Sequence, residues 1–317
     1  MGAQTLRESP RTGQIIVDWG TSNFRAYRFG PDDTPSARHQ ADAGILSVQD
    51  GAFEDVLERE IGGWFGAGTP ILLSGMITSR NGWVETPYVE APASLAALAA
   101  GAVVRHSRRG ALLKFLPGVA TRQPRPDVMR GEEIQIFGTI TPGESATVVL
   151  PGTHSKWARV TDGILDGFRT FLTGESYALL RTHSILGRLI PPGPQGFDEA
   201  AFRQGVRMAC DADSISLLND IFTTRAGVLL GSFGAEDIAE RLSGILIGHE
   251  IKAGLGKDST GKDRSGLHAG GRLVLVGEEA LTRRYQVALD VLGQSAEIGP
   301  TDATAIGFRR LAQLPAG

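Results

Sequence analysis

The sequence predicts an α/β protein of two related domains, and three observations carry that prediction. The first is a short pattern that occurs twice. Ile15-Ile16-Val17-Asp18-Trp19-Gly20-Thr21-Ser22-Asn23-Phe24-Arg25-Ala26 is one copy, and Val148-Val149-Leu150-Pro151-Gly152-Thr153-His154-Ser155-Lys156-Trp157-Ala158 is the other. Each runs an apolar strand into Gly-Thr, then small polar residues, then an aromatic that opens a second alternating run, which reads as a β-hairpin. The second observation is length: 317 residues allow two domains of ordinary size. The third is the 42 glycines, many at the ends of apolar runs, where strand–turn–helix joints place them.

The elements follow in order. Residues 15–29 form the first hairpin. Residues 52–65 read as a helix, with Phe53, Val56, Leu57, Ile61 and Trp64 at helical spacing. Ile71-Leu72-Leu73-Ser74-Gly75-Met76 is a short buried strand that runs into Thr78-Ser79-Arg80-Asn81-Gly82-Trp83. Residues 92–101 are Ala/Leu-rich and helical, and 111–116 form a strand before a Pro- and Arg-rich loop reaching Asp127. Arg130-Gly131-Glu132-Glu133 opens a helix. The second half repeats the plan with a strand at 146–150, the second hairpin and a run at 164–172. A helix is expected from residue 174 to about 189, where Pro191-Pro192-Gly193-Pro194 breaks it. Helices follow at 198–210 and 236–255. Arg272-Leu273-Val274-Leu275-Val276-Gly277 is a buried strand of parallel type, leading into a helix through Leu292. A last helix starts at Thr301-Asp302-Ala303, with Thr301 as its expected N-cap.

Composition excludes several classes. A content of 41% hydrophobic and 21% charged residues is that of a globular chain. No apolar run reaches the roughly 18 residues a membrane span requires, so no membrane partner is expected. Residues 1–13 are polar and lack the apolar stretch of a signal peptide; they read as a frayed tail. Cys210 is the single cysteine, which excludes an intrachain disulfide and a Cys-based zinc site and points to a reducing cytoplasm. A net charge of −3 offers no basic footprint for nucleic acid. Arg105, His106, Arg108 and Arg109 cluster, which reads as a solvated loop. A homodimer is compatible with the chain.

The two hairpin tips are the candidate phosphate sites, because oriented N–H donors and Gly allow an anion to approach closely. Two such tips, one in each half, suggest a nucleotide clamped between the domains. Gly20, Thr21, Ser22 and Asn23 form the first set, and Gly152, Thr153, His154 and Ser155 the second. Ordinary turn chemistry would explain either set alone; the matched register argues for a ligand. Asp18 ends an apolar strand beside the first tip, where an acid is costly unless a cation compensates, and hydrated Mg²⁺ suits that place. His154 has no partner residue at metal-ligand spacing. Lys156 could neutralise a phosphate or a substrate carboxylate. Glu132 and Glu133 are the candidate general bases, although acids at a helix start are favoured by the helix dipole in any case. Gly277 and Glu278 join a strand to a helix, a junction that often receives a nucleotide. Ser79, Arg80, Asn81 and Trp83 make a polar-aromatic loop suited to hydroxyls and a carboxylate, and Arg25 and Arg130 could grip a carboxylate bidentately. Gly256-Lys257-Asp258-Ser259-Thr260-Gly261-Lys262-Asp263 mimics a Walker A loop but puts Asp263 where Ser or Thr must hold Mg²⁺, and reads as a surface loop.

Taken in order, these parts resemble the actin/hexokinase/acetate-kinase superfamily. Asp18-Trp19-Gly20-Thr21 looks like its first phosphate motif, Pro151-Gly152-Thr153 its second, Val276-Gly277-Glu278 its adenosine motif, and residues 302–308 its returning helix. Within it the chain resembles the 2-dehydro-3-deoxygalactonokinase family, on residues 17–26, Ser74-Gly75-Met76, Asn81-Gly82-Trp83 and Met129-Arg130-Gly131-Glu132-Glu133-Ile134-Gln135. The likeness continues through residues 151–157, Thr173-Gly174-Glu175 and Leu281-Thr282-Arg283-Arg284-Tyr285. Thr78 departs from it, standing where the family often has Gly, and Glu279 is bulkier than expected.

The resemblance implies two actin/ribonuclease-H-like domains with an interdomain nucleotide cleft. The first would span 13–139, joined by the C-terminal helix 300–317, and the nucleotide-binding second would span 140–299. It implies ATP-dependent phosphorylation, with Mg²⁺, of 2-dehydro-3-deoxy-D-galactonate at its terminal hydroxyl in galactonate and galactose catabolism. A likeness of Arg130-Gly131-Glu132-Glu133 to exopolyphosphatases favours Glu132 as the base. Two other functions share the framework. A polyphosphate or alarmone phosphohydrolase should want a basic channel, which the charge balance does not offer. An actin-like or chaperone ATPase usually carries insertions for which this chain has no room.

Overall fold

The computed structural model describes residues 13–30, 35–193, 196–211, 214–256, 267–268 and 270–314. The polar start (all but Gly13) and the Walker-like loop (all but Gly256) lie outside the described residues. The chain divides into two compact units, residues 1–141 with 302–317, and residues 142–301.

In the first unit the apolar run Ile15–Trp19 is β1, followed by β2 (Phe24–Phe29) and β3 (Pro35–Ala41). Helix α1 (Phe53–Ile61) buries Phe53, Val56, Leu57 and Ile61, the apolar stripe its spacing requires. Then come β4 (Pro70–Ser74), β5 (Val89–Glu90), α2 (Leu95–Ala100) and β6 (Val103–His106). They are followed by β7 (Leu112–Phe115), β8 (Val119–Thr121), β9 (Asp127–Met129) and α3 (Glu132–Thr139). The main sheet has the order β3-β2-β1-β4-β7-β6. β1 pairs antiparallel with β2 and parallel with β4, and β4 pairs parallel with β7. Apart from Asp18, β1 is apolar and buried on both faces, as parallel strands are.

The second unit holds β10 (Ala146–Leu150), β11 (Ser155–Thr161), β12 (Ile164–Phe171) and α4 (Thr173–His183). Helices α5 (Glu199–Cys210), α6 (Leu217–Leu229) and α7 (Ile238–Leu255) follow, then β13 (Leu273–Leu275), α8 (Glu279–Val291) and β14 (Glu297–Ile298). Its sheet runs β12-β11-β10-β13-β14, with β10 antiparallel to β11 and parallel to β13. That order repeats the first five strands of the other sheet, so the two hairpins occupy equivalent places. This is the expected actin/ribonuclease-H-like α/β topology.

The closing helix α9 (Ala303–Ala312) returns to the first unit and packs on α3. Two glycines permit the approach: a Cβ on Gly138 would lie 1.8 Å from the Ala303 carbonyl oxygen, and one on Gly307 2.0 Å from that of Ile134. Arg310 Nη1 donates to the carbonyls of Phe137 at 2.5 Å and Ile140 at 2.8 Å.

Several local expectations are corrected. The expected loop before Asp127 contains β8, whose Val119 and Ala120 are buried and which pairs with β9. Arg105 and His106 lie on edge strand β6, and the Arg108 side chain pairs with Asp55. The helix expected to reach residue 189 ends at His183, because the Ser184 hydroxyl accepts from the Leu186 and Gly187 amides and turns the chain. Helix α6 has no clear apolar stripe, since Leu218, Phe222 and Leu229 are exposed, and so it escapes a periodicity reading. Asp302, not Thr301, takes the cap position of α9, without a side-chain cap bond.

Candidate functional site

In the first unit Asp18 stands next to the end of β1, opposite Ser74 on β4 and Arg25 on β2. Its carboxylate lies 3.7 Å from Arg25 Nη1, and its side chain is 19% exposed. Burial pushes the Asp18 carboxyl up to about 6; Arg25 opposes the rise and Glu132 adds to it. The hairpin turn closes through the Gly20 amide to the Asn23 carbonyl at 2.9 Å. Its other carbonyls are taken by a neighbouring segment, with Gly44, Ile45 and Leu46 amides donating to Ser22, Gly20 and Thr21. Thr21, Ser22 and Asn23 therefore present exposed side chains, and with Asp18, Gly20 and Arg25 they line a cavity of about 220 Å³.

Helix α3 starts near Asp18, linked to it through Gly75 and Gly131. Gly75 follows β4 at φ +91°, and a Cβ there would meet Asp18 Oδ1 at 3.2 Å and the Trp19 carbonyl oxygen at 2.8 Å. Gly131, at φ +112°, would carry its Cβ 3.3 Å from Gly75 Cα. Only glycine takes these conformations without strain at such contact. The next two residues diverge. Glu132 is half-buried and accepts the Arg130 amide at 3.0 Å. Glu133 is fully buried, accepts the Gly131 amide with both oxygens and the Ser74 hydroxyl at 3.4 Å. Burial, with the adjacent Glu132 charge, pushes the Glu133 carboxyl up to about 8.

The expected acceptor loop is dispersed. Arg80 and Asn81 are exposed, whereas the Ser79 hydroxyl donates to the Met76 carbonyl at 2.7 Å. Trp83 stacks near Phe53 at 6.5 Å and meets Phe115 edge-on at 5.4 Å. It lines a different cavity, of about 470 Å³, with Glu54, Val84, Glu85, Arg105 and His106. Arg130 is held by Thr78 and Thr86 hydroxyls, each 2.7 Å from Nη1, and its guanidinium lies 4.3 Å from the Tyr88 ring centroid. Thr86 and Tyr88 carry no motif, and nothing in the sequence joins them to a residue more than 40 positions later.

In the second unit the turn after β10 separates its polar residues by direction. Thr153 and His154 are exposed, and His154 Nε2 pairs with Glu175 at 2.5 Å. Ser155 is buried: it accepts the Gly152 amide at 3.3 Å and lies 3.0 Å from the Tyr285 hydroxyl. Lys156 is also buried, with Nζ 3.3 Å from the His154 carbonyl oxygen. Gly277 takes φ +154° between β13 and α8, and exposed Glu278 occupies the N-cap of α8. A cavity of about 490 Å³ joins Gly152, Thr153 and Glu278 to Tyr177, Ser243 and Arg284 on the surrounding helices. That volume is in the range of small-molecule sites. The Arg284 guanidinium is set by Glu240, with Nη2 donating at 2.9 Å. Their separation of 44 residues hides this pairing from the sequence. Among the described residues, no group of three or more His, Cys, Asp or Glu could hold a metal ion, and no helix is long and apolar enough to cross a membrane.

Comparison with known proteins agrees over nearly the whole chain. The profile of the 2-keto-3-deoxy-galactonokinase family matches residues 18–311. The Rhizobium meliloti (strain 1021) protein named "Probable 2-dehydro-3-deoxygalactonokinase DgoK1" is 36% identical over 284 residues, covering 87% of this chain and 89% of its own. The 2-dehydro-3-deoxygalactonokinase of Escherichia coli (strain K12) is 32% identical over 305 residues, 95% of this chain and 98% of its own. A crystal structure described as "a putative 2-dehydro-3-deoxygalactonokinase protein from Sinorhizobium meliloti" superposes with a TM-score of 0.84 at 34% identity, over 95% of this chain and 98% of that one. The hairpins, the carboxylates at the start of α3 and the cavity between the helices of the second unit thus sit in a chain that belongs to the 2-keto-3-deoxy-galactonokinase family.

Proposed function

We propose that the protein transfers the γ-phosphoryl group of ATP to the terminal hydroxyl of 2-dehydro-3-deoxy-D-galactonate, giving the 6-phosphate, in galactonate and galactose catabolism. The observation that carries this reading is the repeated hairpin. The same turn follows the same strand in both sheets, with carboxylates beside one copy and a cavity of nucleotide size beside the other.

The second unit takes the nucleotide. Its cavity receives the base and ribose along Glu278 and Gly277, and the phosphates meet the backbone and side chains of Gly152, Thr153 and His154, with Ser155 shaping the turn from inside. Lys156 adds positive charge close to that turn. In the first unit Gly20, Thr21, Ser22 and Asn23 supply further phosphate contacts. Arg25, partly exposed, faces the acid's carboxylate, and exposed Arg80 and Asn81 frame the acceptor side, with Ser79 and Trp83 shaping that loop from within. Arg130 acts by holding Thr78 and Thr86, which shapes that loop.

Glu132 is the base. It accepts the hydroxyl proton as that oxygen bonds to the γ-phosphorus and the bond to the β-phosphate oxygen breaks, releasing ADP. Glu133, whose carboxyl is raised to about 8, is mostly neutral near pH 7 and serves the helix start instead. A hydrated Mg²⁺ fits beside Asp18, since one carboxylate next to a turn of hydroxyl and amide oxygens is the donor set this ion takes. When bound it would spread the negative charge of the transferring group. The single, half-buried Cys210 supports a reducing cytoplasmic setting.

ADP production with ATP and Mg²⁺ tests the reading against 2-dehydro-3-deoxygalactonate, its gluconate epimer, free hexoses and no acceptor. Turnover confined to the 2-keto-3-deoxy acids is expected. Acceptor-independent phosphate release would replace the kinase with a hydrolase.

A further inference from the structure

We propose that Glu250, on α7, is the positioning residue that sets the phosphate-binding turn of the second unit. The inference rests on the nucleotide reading above. Glu250 is 3% exposed and belongs to no predicted motif. A carboxylate so deep is tolerated only when hydrogen bonds replace water. Here they do, and each comes from a different part of the turn's support. Trp157 Nε1, on β11 just past the turn, donates to Oε1 at 2.8 Å. The Tyr285 hydroxyl, on α8, donates to Oε2 at 2.7 Å. The Thr173 hydroxyl, at the start of α4, donates to the same oxygen.

Two of these arms reach the turn itself. Tyr285 has one proton and gives it to Glu250, so its oxygen is left to accept from Ser155 at 3.0 Å. Ser155, its own proton spent on Tyr285, accepts the Gly152 amide at 3.3 Å. The order of donors therefore runs from the turn inward to the carboxylate. The second arm acts through α4. Thr173 fixes the helix start, where the Glu175 amide donates to the Thr153 carbonyl at 3.0 Å. Gly174 lies so close that a Cβ would stand 2.5 Å from the Gly152 carbonyl oxygen. One buried carboxylate thus grips both flanks of Gly152–Thr153 and leaves the tip open to the cavity.

Gln at position 250 keeps the volume and breaks the order. Its carbonyl must face Trp157, which can only donate, so its NH₂ meets the two hydroxyls. Tyr285 then turns its proton to Ser155, and the Ser155 proton is released onto the turn.

Titration calorimetry with ATP, without sugar acid, is the test, run beside steady-state kinetics and thermal unfolding. Glu250→Gln is expected to weaken ATP binding and raise its KM by about tenfold, the scale of one charge-assisted hydrogen bond. The KM for the sugar acid stays within about twofold, a split that a general packing defect would not produce. Tyr285→Phe and Thr173→Val each weaken ATP by several-fold, while Thr173→Ser restores it. These variants carry the test if Glu250→Gln does not fold. Unchanged ATP affinity in Glu250→Gln, or in both Tyr285→Phe and Thr173→Val, overturns the proposal. Wild-type protein that binds no ATP removes the nucleotide reading itself, and this inference with it.

Discussion

Glu133 accepts the Gly131 amide with both carboxylate oxygens, at 2.7 and 2.9 Å, and so folds back over the start of its own helix. Glu132, one residue earlier, stays at the half-buried edge beside Asp18, close enough to raise its carboxyl. Two adjacent acids at one helix start are thereby separated into a buried group bonded to its own helix start and a half-buried one beside Asp18, the proposed base. The helix turns about 100° per residue, so the two side chains leave it in different directions.

That separation predicts unequal effects of the same substitution. Glu132→Gln is expected to lower kcat by roughly 10²–10⁴-fold, the usual share of general-base catalysis. Both KM values should change little, as read from a coupled ADP assay. Full turnover in this variant would take the proton-accepting role away from Glu132.

Glu133 should appear in stability instead. Its carboxyl is raised from 4.5 to about 8, so the folded state holds a proton that the unfolded chain has released. The stabilisation is complete below about pH 4.5 and is lost as pH rises through about 8. Urea unfolding at several pH values should show stability falling across that window, and Glu133→Gln should flatten the fall. A Gln variant with the wild-type slope would assign the slope to other groups.

Arg130 joins the start of α3 to the loop after β4 by bonds to Thr78 and Thr86. Nη1 donates to both hydroxyls while Nη2 donates to the Thr86 carbonyl at 3.2 Å, and a Lys ammonium cannot reproduce that planar pair of nitrogens or lie flat on Tyr88. Arg130→Lys is expected to raise the KM for the sugar acid and leave ATP affinity unchanged, with roughly 1–3 kcal/mol of stability lost. Calorimetry with each substrate separates the two effects.

The α3–α9 contact depends on Gly138, where a Cβ would fall 1.8 Å from the Ala303 carbonyl oxygen. Gly138→Ala must push the helices apart and should cost about 1–3 kcal/mol, as overpacking does. Urea denaturation measures it. An unchanged midpoint would mean that α9 shifts without loss.

Much of the framework was legible in the sequence. Both hairpins, the parallel strand β13 and helix α1 follow from apolar runs, turn residues and period, all of which are local. Helix α6 was not, because Leu218, Phe222 and Leu229 are exposed while Leu217, Ile221 and Val228 pack inward, so apolar residues lie on both faces and mask the period. Strand β8 was hidden by the prolines and arginines that follow it. At the site, the sequence named Asp18, Glu132 and the two turns by motif, and the structure gathers Asp18, Gly20 to Asn23 and Arg25 at one cavity. It sends Trp83 to another.

The α/β class, the duplicated hairpin and the residue types offered at each tip follow from the chain alone, since those depend on neighbours along it. Which polar groups stay exposed at the turns and which turn to the core depends instead on tertiary contacts. Ser155 turns inward to Tyr285, 130 positions away, and Trp157 to Glu250, 93 positions away, while Thr153 stays exposed. Buried hydrogen-bonding groups must find partners wherever packing brings them, and for these residues the partners lie in other elements.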